Sequence, residues 1–421
     1  MKIKQVIGRE IFDSRGFPTI ECELILEENK DQLLSVKASV PSGASTGKYE
    51  AKELRDDEKR LTGKGVLKAI ENLENKIAPL IIGKEPDIIS MDMQTIELDG
   101  TKNKSCLGSN ATLASSLAIL RAQAMSQGME TYELIASLCG LESISIPIPM
   151  FNIINGGVHA TNKIDFQEFM IIPIGQSNFR SAMENSAEVF YTLSSILKKK
   201  GLKKCMGDEG GFAPDLKSER ETLDLIMEAI EKSNCVNDSF AIAIDVASSR
   251  LYNSKKNEYT IQNQTYSPEK LINFYGELIN DYPIIYIEDG FAEDDWNTWK
   301  TFTKKFGEQV QIVGDDLFAT NPSKILKGAE EKAANATIIK PNQIGTITET
   351  ILAIITAREQ NLNTIISHRS GETNDNLIVD LAIGTQSGLI KAGGLTGGER
   401  LSKYNRILRI EDKLTMQAMN S

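Results

Sequence analysis

The chain has 421 residues, 41% of them hydrophobic and 25% charged, an ordinary globular composition with length for two domains or one large barrel plus an appendage. Lys and Arg number 47 against 58 Asp and Glu, a net charge of -11, so the overall field repels phosphate backbones and anionic bilayers, and neither nucleic acid nor membrane is expected as a partner. The cysteine count is 5 with no C-x-x-C pair, which predicts reduced thiols; with no apolar signal-like core near the start and no run near the roughly 18 residues of a spanning helix, a soluble cytoplasmic protein is expected.

Along residues 1–141 the pattern predicts short strands at 23–26 and 33–40 around a Gly/Ser loop, then helices. Ser109 and Asn110 are expected to cap a buried Ala/Leu-rich helix, and Gly128 to stop it. This part reads as an α+β domain. ISIPIP, whose prolines resist helix, predicts a hinge into a second domain over 142–421.

In that second part, apolar runs each end in a polar residue and precede helix-like stretches: AIAIDV, PIIYIEDG, VQIVGDD, ATIIKPN, NTIISHRSG and GLIKAGG. Such runs suit parallel strands buried on both faces. Their terminal residues, Asp245, Glu288, Asp315, Lys340, His368 and Lys391, recur at intervals near the roughly 30 residues of a strand-plus-helix unit. A (β/α) barrel brings all such strand ends to one mouth, whereas an open doubly wound sheet spreads them along a line.

Taken singly, an acid at a strand end is more often a helix cap or an ion-pair partner. Three in one mouth, Asp245, Glu288 and Asp315, repel one another, and a hard divalent cation, Mg²⁺ or Mn²⁺, is the natural neutraliser. Lys340 and Lys391 could simply pair with those acids. Beside a metal ion and another ammonium, however, a lysine loses its proton more easily and can act as a general base. A complementary acid could come from Glu209 in GDEGGF or Glu168 in FQEFM, although either could be a solvated loop charge.

Both histidines fall in polar or Gly-rich motifs, His159 in NGGVHATNK and His368 in SHRSGET, where a core role is not expected. Arg369 offers a fork to an oxyanion and Ser370-Gly371 offer backbone amides, so a small anionic, phosphorylated substrate is expected. PSGASTGKYE lacks the spacing of a phosphate loop and reads as a lid able to offer Ser45 to a metal.

DSRGFPT, VPSGASTG, NGGVHATNKIDFQEFM, GDEGGFAP, YIEDGFAEDDW, VGDDLFATN, KPNQIGT, SHRSGET and ERLSKYNRILRIE run in order from residue 13 to 411, and together they resemble the enolase (phosphopyruvate hydratase) family of bacterial type. The resemblance implies an α/β fold, a TIM-type (β/α)8 barrel with a ββαα start and an N-terminal α+β domain. It implies interconversion of 2-phospho-D-glycerate and phosphoenolpyruvate plus water. Asp245, Glu288 and Asp315 would hold a first Mg²⁺, Ser45 would help bind a second, and Mn²⁺ could substitute. Lys340 would take the C2 proton, and Glu209, with Glu168 nearby, would protonate the departing C3 hydroxyl. Gln167, Arg369, Ser370, Lys391 and His159 would contact substrate, with His368 beside the site. A homodimer or homo-octamer is implied, as is a cytoplasmic location with a surface or secreted fraction by analogy.

The sequence departs from the family pattern at Pro341, expected to reshape the strand end it follows, and at Arg250, where an acid is usual. Ala392 replaces a usual Thr, and Thr396-Gly397 replaces a pair containing an arginine. These departures leave a related phospho- or phosphono-carboxylate as an alternative substrate. A non-catalytic scaffold that kept the fold is the other alternative, against which the full set of acids, lysines and histidines argues.

Overall fold

The structure is a computed structural model that describes residues 1–29, 32–44, 46–57, 59–235 and 239–420. Strands β1 (Lys2–Phe12), β2 (Pro18–Asn29) and β3 (Gln32–Ser39) form an antiparallel sheet. The first of these is absent from the sequence reading because its period-2 signal is blurred by charge, Lys2, Lys4, Arg9 and Glu10 lying among its apolar residues. The helix Ser109–Ser126 packs on that sheet and starts two residues earlier than expected: Gly108, at φ 94°, stands at the cap position and no side chain among the described residues caps it. Asn110 lies inside the helix, where its amide brackets the backbone of Leu54 with two 3.0 Å hydrogen bonds. Gly128 follows the helix end at φ 68°, the left-handed geometry that glycine tolerates best.

The rest of the chain builds a closed eight-stranded barrel. Its strands are β4 (Ile148–Asn155), β5 (Glu168–Pro173) and β6 (Phe240–Asp245), then, after a small sheet of β7 (Tyr252–Asn253), β8 (Glu258–Ile261) and β9 (Gln264–Tyr266), β10 (Ile284–Glu288), β11 (Gln311–Gly314), β12 (Ala336–Ile339), β13 (Asn363–Ser367) and β14 (Leu389–Lys391). Around the barrel the order is β10-β11-β12-β13-β14-β4-β5-β6. Only β5 runs against its neighbours, since β4 and β5 meet directly and two helices, Phe179–Lys199 and Glu219–Lys232, intervene before β6. The six apolar runs singled out in the sequence are β6 and β10 to β14.

Alternation along these strands decides what reaches the mouth. Ala241 and Ala243 of β6, Tyr286 of β10, Val313 of β11, Ala336 and Ile338 of β12, Ile365 of β13 and Leu389 of β14 pack together inside the barrel. Ile242, Ile244, Ile287, Ile312, Ile339, Ile366 and Ile390 belong to the other core, beneath the helices. Because side chains alternate with a period of two, the next inward positions are Asp245, Glu288, Asp315, Lys340, Ser367 and Lys391. On the antiparallel β5 the same face carries Ile172, Met170 and then Glu168. The barrel interior is filled by apolar layers, and its last layer toward the mouth is polar, ionisable at every position named except Ser367. No helix among the described residues is long and apolar enough to cross a membrane.

Candidate active site at the barrel mouth

Register alone aligns three acids. Glu168 pairs with Asp245, and Asp245 with Glu288, on adjacent strands β5, β6 and β10, so their Cα atoms stand in one row at strand spacing. Lys391 reaches across the barrel from β14 to this row, its Nζ 3.0 Å from Glu168 Oε1, 3.2 Å from Asp245 Oδ2 and 3.0 Å from Glu288 Oε2. Against the burial that would strip its proton, the three carboxylates hold Lys391 well above the usual lysine range. Glu288 also accepts the Tyr286 hydroxyl at 2.6 Å, and burial followed by Asp245 pushes it up to about 7.

Opposite the row, Lys340 pairs with Asp315. Thr320 Oγ1 accepts the Lys340 amide at 2.9 Å and donates to Gln343 Oε1 at 2.7 Å, while Gln343 Nε2 donates to Asp315 Oδ1 at 2.8 Å. The depressed pKa expected for Lys340 is not what the chain's own charges produce: burial lowers it, but Asp315 overrides burial and holds the amine above its ordinary value. Pro341 does not distort this strand end. It opens the one-turn helix Pro341–Ile344 at a position where the missing N–H costs nothing and the fixed φ suits a helix start.

The remaining wall comes from loops. His159 Nδ1 lies 3.3 Å from Glu209 Oε2, and Asn152 Nδ2 donates to Glu168 at 3.1 Å and to Glu209 at 3.2 Å. This amide therefore links two carboxylates with opposite tendencies. Burial and then Glu209 hold Glu168 well above the usual range, whereas nearby basic groups, His159 foremost, outweigh burial and hold Glu209 well below it. Gln167 Nε2 donates to Asp245 Oδ2 at 3.4 Å, and its side-chain Oε1 is buried without a hydrogen-bond partner among the described residues.

Arg369 is buried and held above its ordinary range by Glu50, whose carboxylate it meets at 2.9 and 3.3 Å. Ser370 Oγ accepts the Ala44 amide at 2.6 Å and Arg15 Nη1 at 3.4 Å. The DSRG motif thus braces the site from the N-terminal sheet, with Arg15 also donating to Asp13 and to the Ser42 carbonyl, each at 3.0 Å.

Of the residues expected at the site, Lys340, Glu209, Glu168, His159, Gln167, Arg369, Ser370, Lys391, His368, Asp245 and Asp315 line one buried pocket. Glu288 lies beneath it, fully buried under Lys391. Ser45 falls outside the described residues. The sequence reading missed Glu50, Asp289 and Asp316, which line the pocket too. Asp289 and Asp316 directly follow Glu288 and Asp315, so runs of adjacent acids after a strand were the available signal.

Seven carboxylates face the pocket against three cationic side chains. Burial and mutual repulsion push Asp289 and Asp316 well above the usual range, and one oxygen each from Asp289, Asp315 and Asp316 fall within 4.8 Å of one another. An excess of buried, all-oxygen donors fits a hard divalent cation.

Two departures have local explanations. Arg250 lies against Gly157 and donates to the Asp165 carbonyl at 3.0 Å, so it braces the loop that carries His159. Gly397 sits at φ 90°, where the usual arginine would be strained. Two family models match the chain: one described as the N-terminal domain of enolase, over residues 3–135, and one as its C-terminal TIM barrel domain, over residues 143–421.

Proposed function

The chain belongs to the enolase family of lyases, and from that premise we propose that it interconverts 2-phospho-D-glycerate and phosphoenolpyruvate with loss or gain of water, dependent on Mg²⁺. The observation that carries this reading is the pairing of Lys340 with Asp315 across the pocket from the row Glu168, Asp245 and Glu288. A base and an acid pair therefore face each other over a bed of carboxylates, as an elimination across two carbons requires.

Asp245, Glu288 and Asp315 are the proposed ligands of a first cation and Ser45 contributes to a second. Bound there, Mg²⁺ or its substitute Mn²⁺ supplies positive charge that offsets the clustered acids and withdraws electrons from a substrate carboxylate, acidifying the adjacent carbon. Lys340, released from Asp315, accepts the C2 proton. Lys391 lies where a carboxylate would exchange places with Glu168 and Asp245 as its partner. Glu209 and Glu168, sharing the Asn152 amide, act as one unit that delivers a proton to the leaving C3 hydroxyl. Arg369 and Ser370 hold the phosphate, and His159, Gln167 and His368 complete the enclosure.

Formation of phosphoenolpyruvate, followed by its ultraviolet absorbance, tests the proposal. Product should appear from 2-phosphoglycerate with added Mg²⁺ and cease with a chelator. Turnover of a phosphono analogue alone, with none of 2-phosphoglycerate, would transfer the assignment to a related dehydratase.

A further inference from the structure

Arg400, fully buried at the start of the helix Gly398–Asn420, spreads its guanidinium under the SHRSG loop. Its Nη1 meets the His368 ring at Nδ1 and the Arg369 carbonyl, the latter at 2.7 Å. Its Nη2 donates to the carbonyls of Ser370 at 2.7 Å and Asp208 at 3.0 Å. A guanidinium has donors and no acceptor. The imidazole nitrogen facing it must therefore present a lone pair, which leaves the ring proton on Nε2.

That second nitrogen opens into the pocket. It is buried without a hydrogen-bond partner among the described residues, and Glu209 Oε2 stands 3.7 Å away. We propose that Arg400 is a positioning residue that fixes His368 as the neutral Nε2–H tautomer, a donor aimed past Glu209 at the substrate; on the reading above, at the departing hydroxyl. The same cation holds the carbonyl of Asp208, the residue before Glu209, so donor and acid are set by one side chain. An imidazolium would turn an N–H toward the guanidinium and lose the contact. Burial disfavours that form most strongly; Glu209 favours it, but burial together with the Arg400, Lys391 and Lys340 charges outweighs that carboxylate.

The chain has 2 histidines, so ring nitrogens can be read individually in full-length protein labelled with ¹⁵N-histidine, with His159→Gln used only for assignment. The expected spectrum has His368 unprotonated at Nδ1 and protonated at Nε2 throughout the neutral pH range. A proton on Nδ1, or a cationic ring at neutral pH, would overturn the proposal, and this readout stands whether or not the enzyme turns over the substrate proposed above. In kinetics, Arg400→Gln should lower kcat about 10- to 100-fold with little change in KM, the range typical of groups that orient others. Arg400→Lys, which keeps a donor-only cation, should recover part of the loss. Full kcat in Arg400→Gln would contradict the role, and if neither variant folds the parent spectrum decides.

Discussion

Glu50 and Arg369 form a buried two-point ion pair, 2.9 and 3.3 Å, between the segment that follows the Gly/Ser loop and the loop that follows β13. Glu50 Oε1 also accepts the Gly47 amide at 2.9 Å and Gln343 Nε2 at 3.4 Å. One carboxylate thus joins the loop's own backbone, the proposed phosphate-binding arginine and, through Gln343, Asp315. Charge-assisted hydrogen bonds of this kind contribute about 1.5–3 kcal/mol. Glu50→Gln is expected to raise KM about tenfold and to increase proteolytic cleavage of the 41–50 segment. Unchanged KM with unchanged cleavage would show that the pair does not hold the loop.

Gly394 lies in contact with the backbone of the Glu209 loop. Its amide donates to the Glu209 carbonyl at 2.7 Å, and a Cβ there would come within 2.5 Å of the Gly210 carbonyl carbon and 2.7 Å of the Asn152 oxygen. Neither neighbour can yield without moving Glu209 or the amide that links it to Glu168. Gly394→Ala should destabilise the protein by about 1–3 kcal/mol and lower kcat more than it raises KM. Thermal melts with steady-state kinetics check both, and a normal kcat would detach this loop from the acid pair.

Away from the mouth, Asp92 is buried beneath Ser116 and Thr348, accepting from them at 2.8 and 2.9 Å, and burial raises it from 3.8 to about 6. The folded state therefore binds this proton more tightly than the unfolded chain does. The stability that goes with it is present in full below about pH 3.8 and is lost as pH rises through about 6, a change on the order of 3 kcal/mol. Asp92→Asn should remove that decline. Denaturant unfolding of parent and variant at several pH values in this window is the measurement, and parallel curves would refute the assignment.

Much of the site was legible in the sequence because a barrel turns strand ends into a constellation. Asp245, Glu288, Asp315, Lys340 and Lys391 each close an apolar run, and the inward face of each strand selects them. Glu50 and Arg400 were not legible, since their roles depend on contacts with Arg369 and His368 that are remote in sequence and cross between loops. The strand Lys2–Phe12 escaped because its exposed edge is charged. Ser109 and Asn110 misled because cap-type residues here sit within a buried helix, where tertiary partners replace the capping bond. The effect of Pro341 was misjudged because the following turn is helical, and a proline at its first position fits without distortion.

The account depends on Lys340 removing the proton from C2 of the substrate. Exchange of that proton with deuterated solvent, followed by NMR on 2-phosphoglycerate with Mg²⁺, tests this without requiring product release. The parent should exchange, and Lys340→Ala should lose exchange by a factor of about 10²–10⁴ while still binding Mg²⁺. Exchange at the parent rate in Lys340→Ala would contradict the account, whatever the other residues of the pocket do.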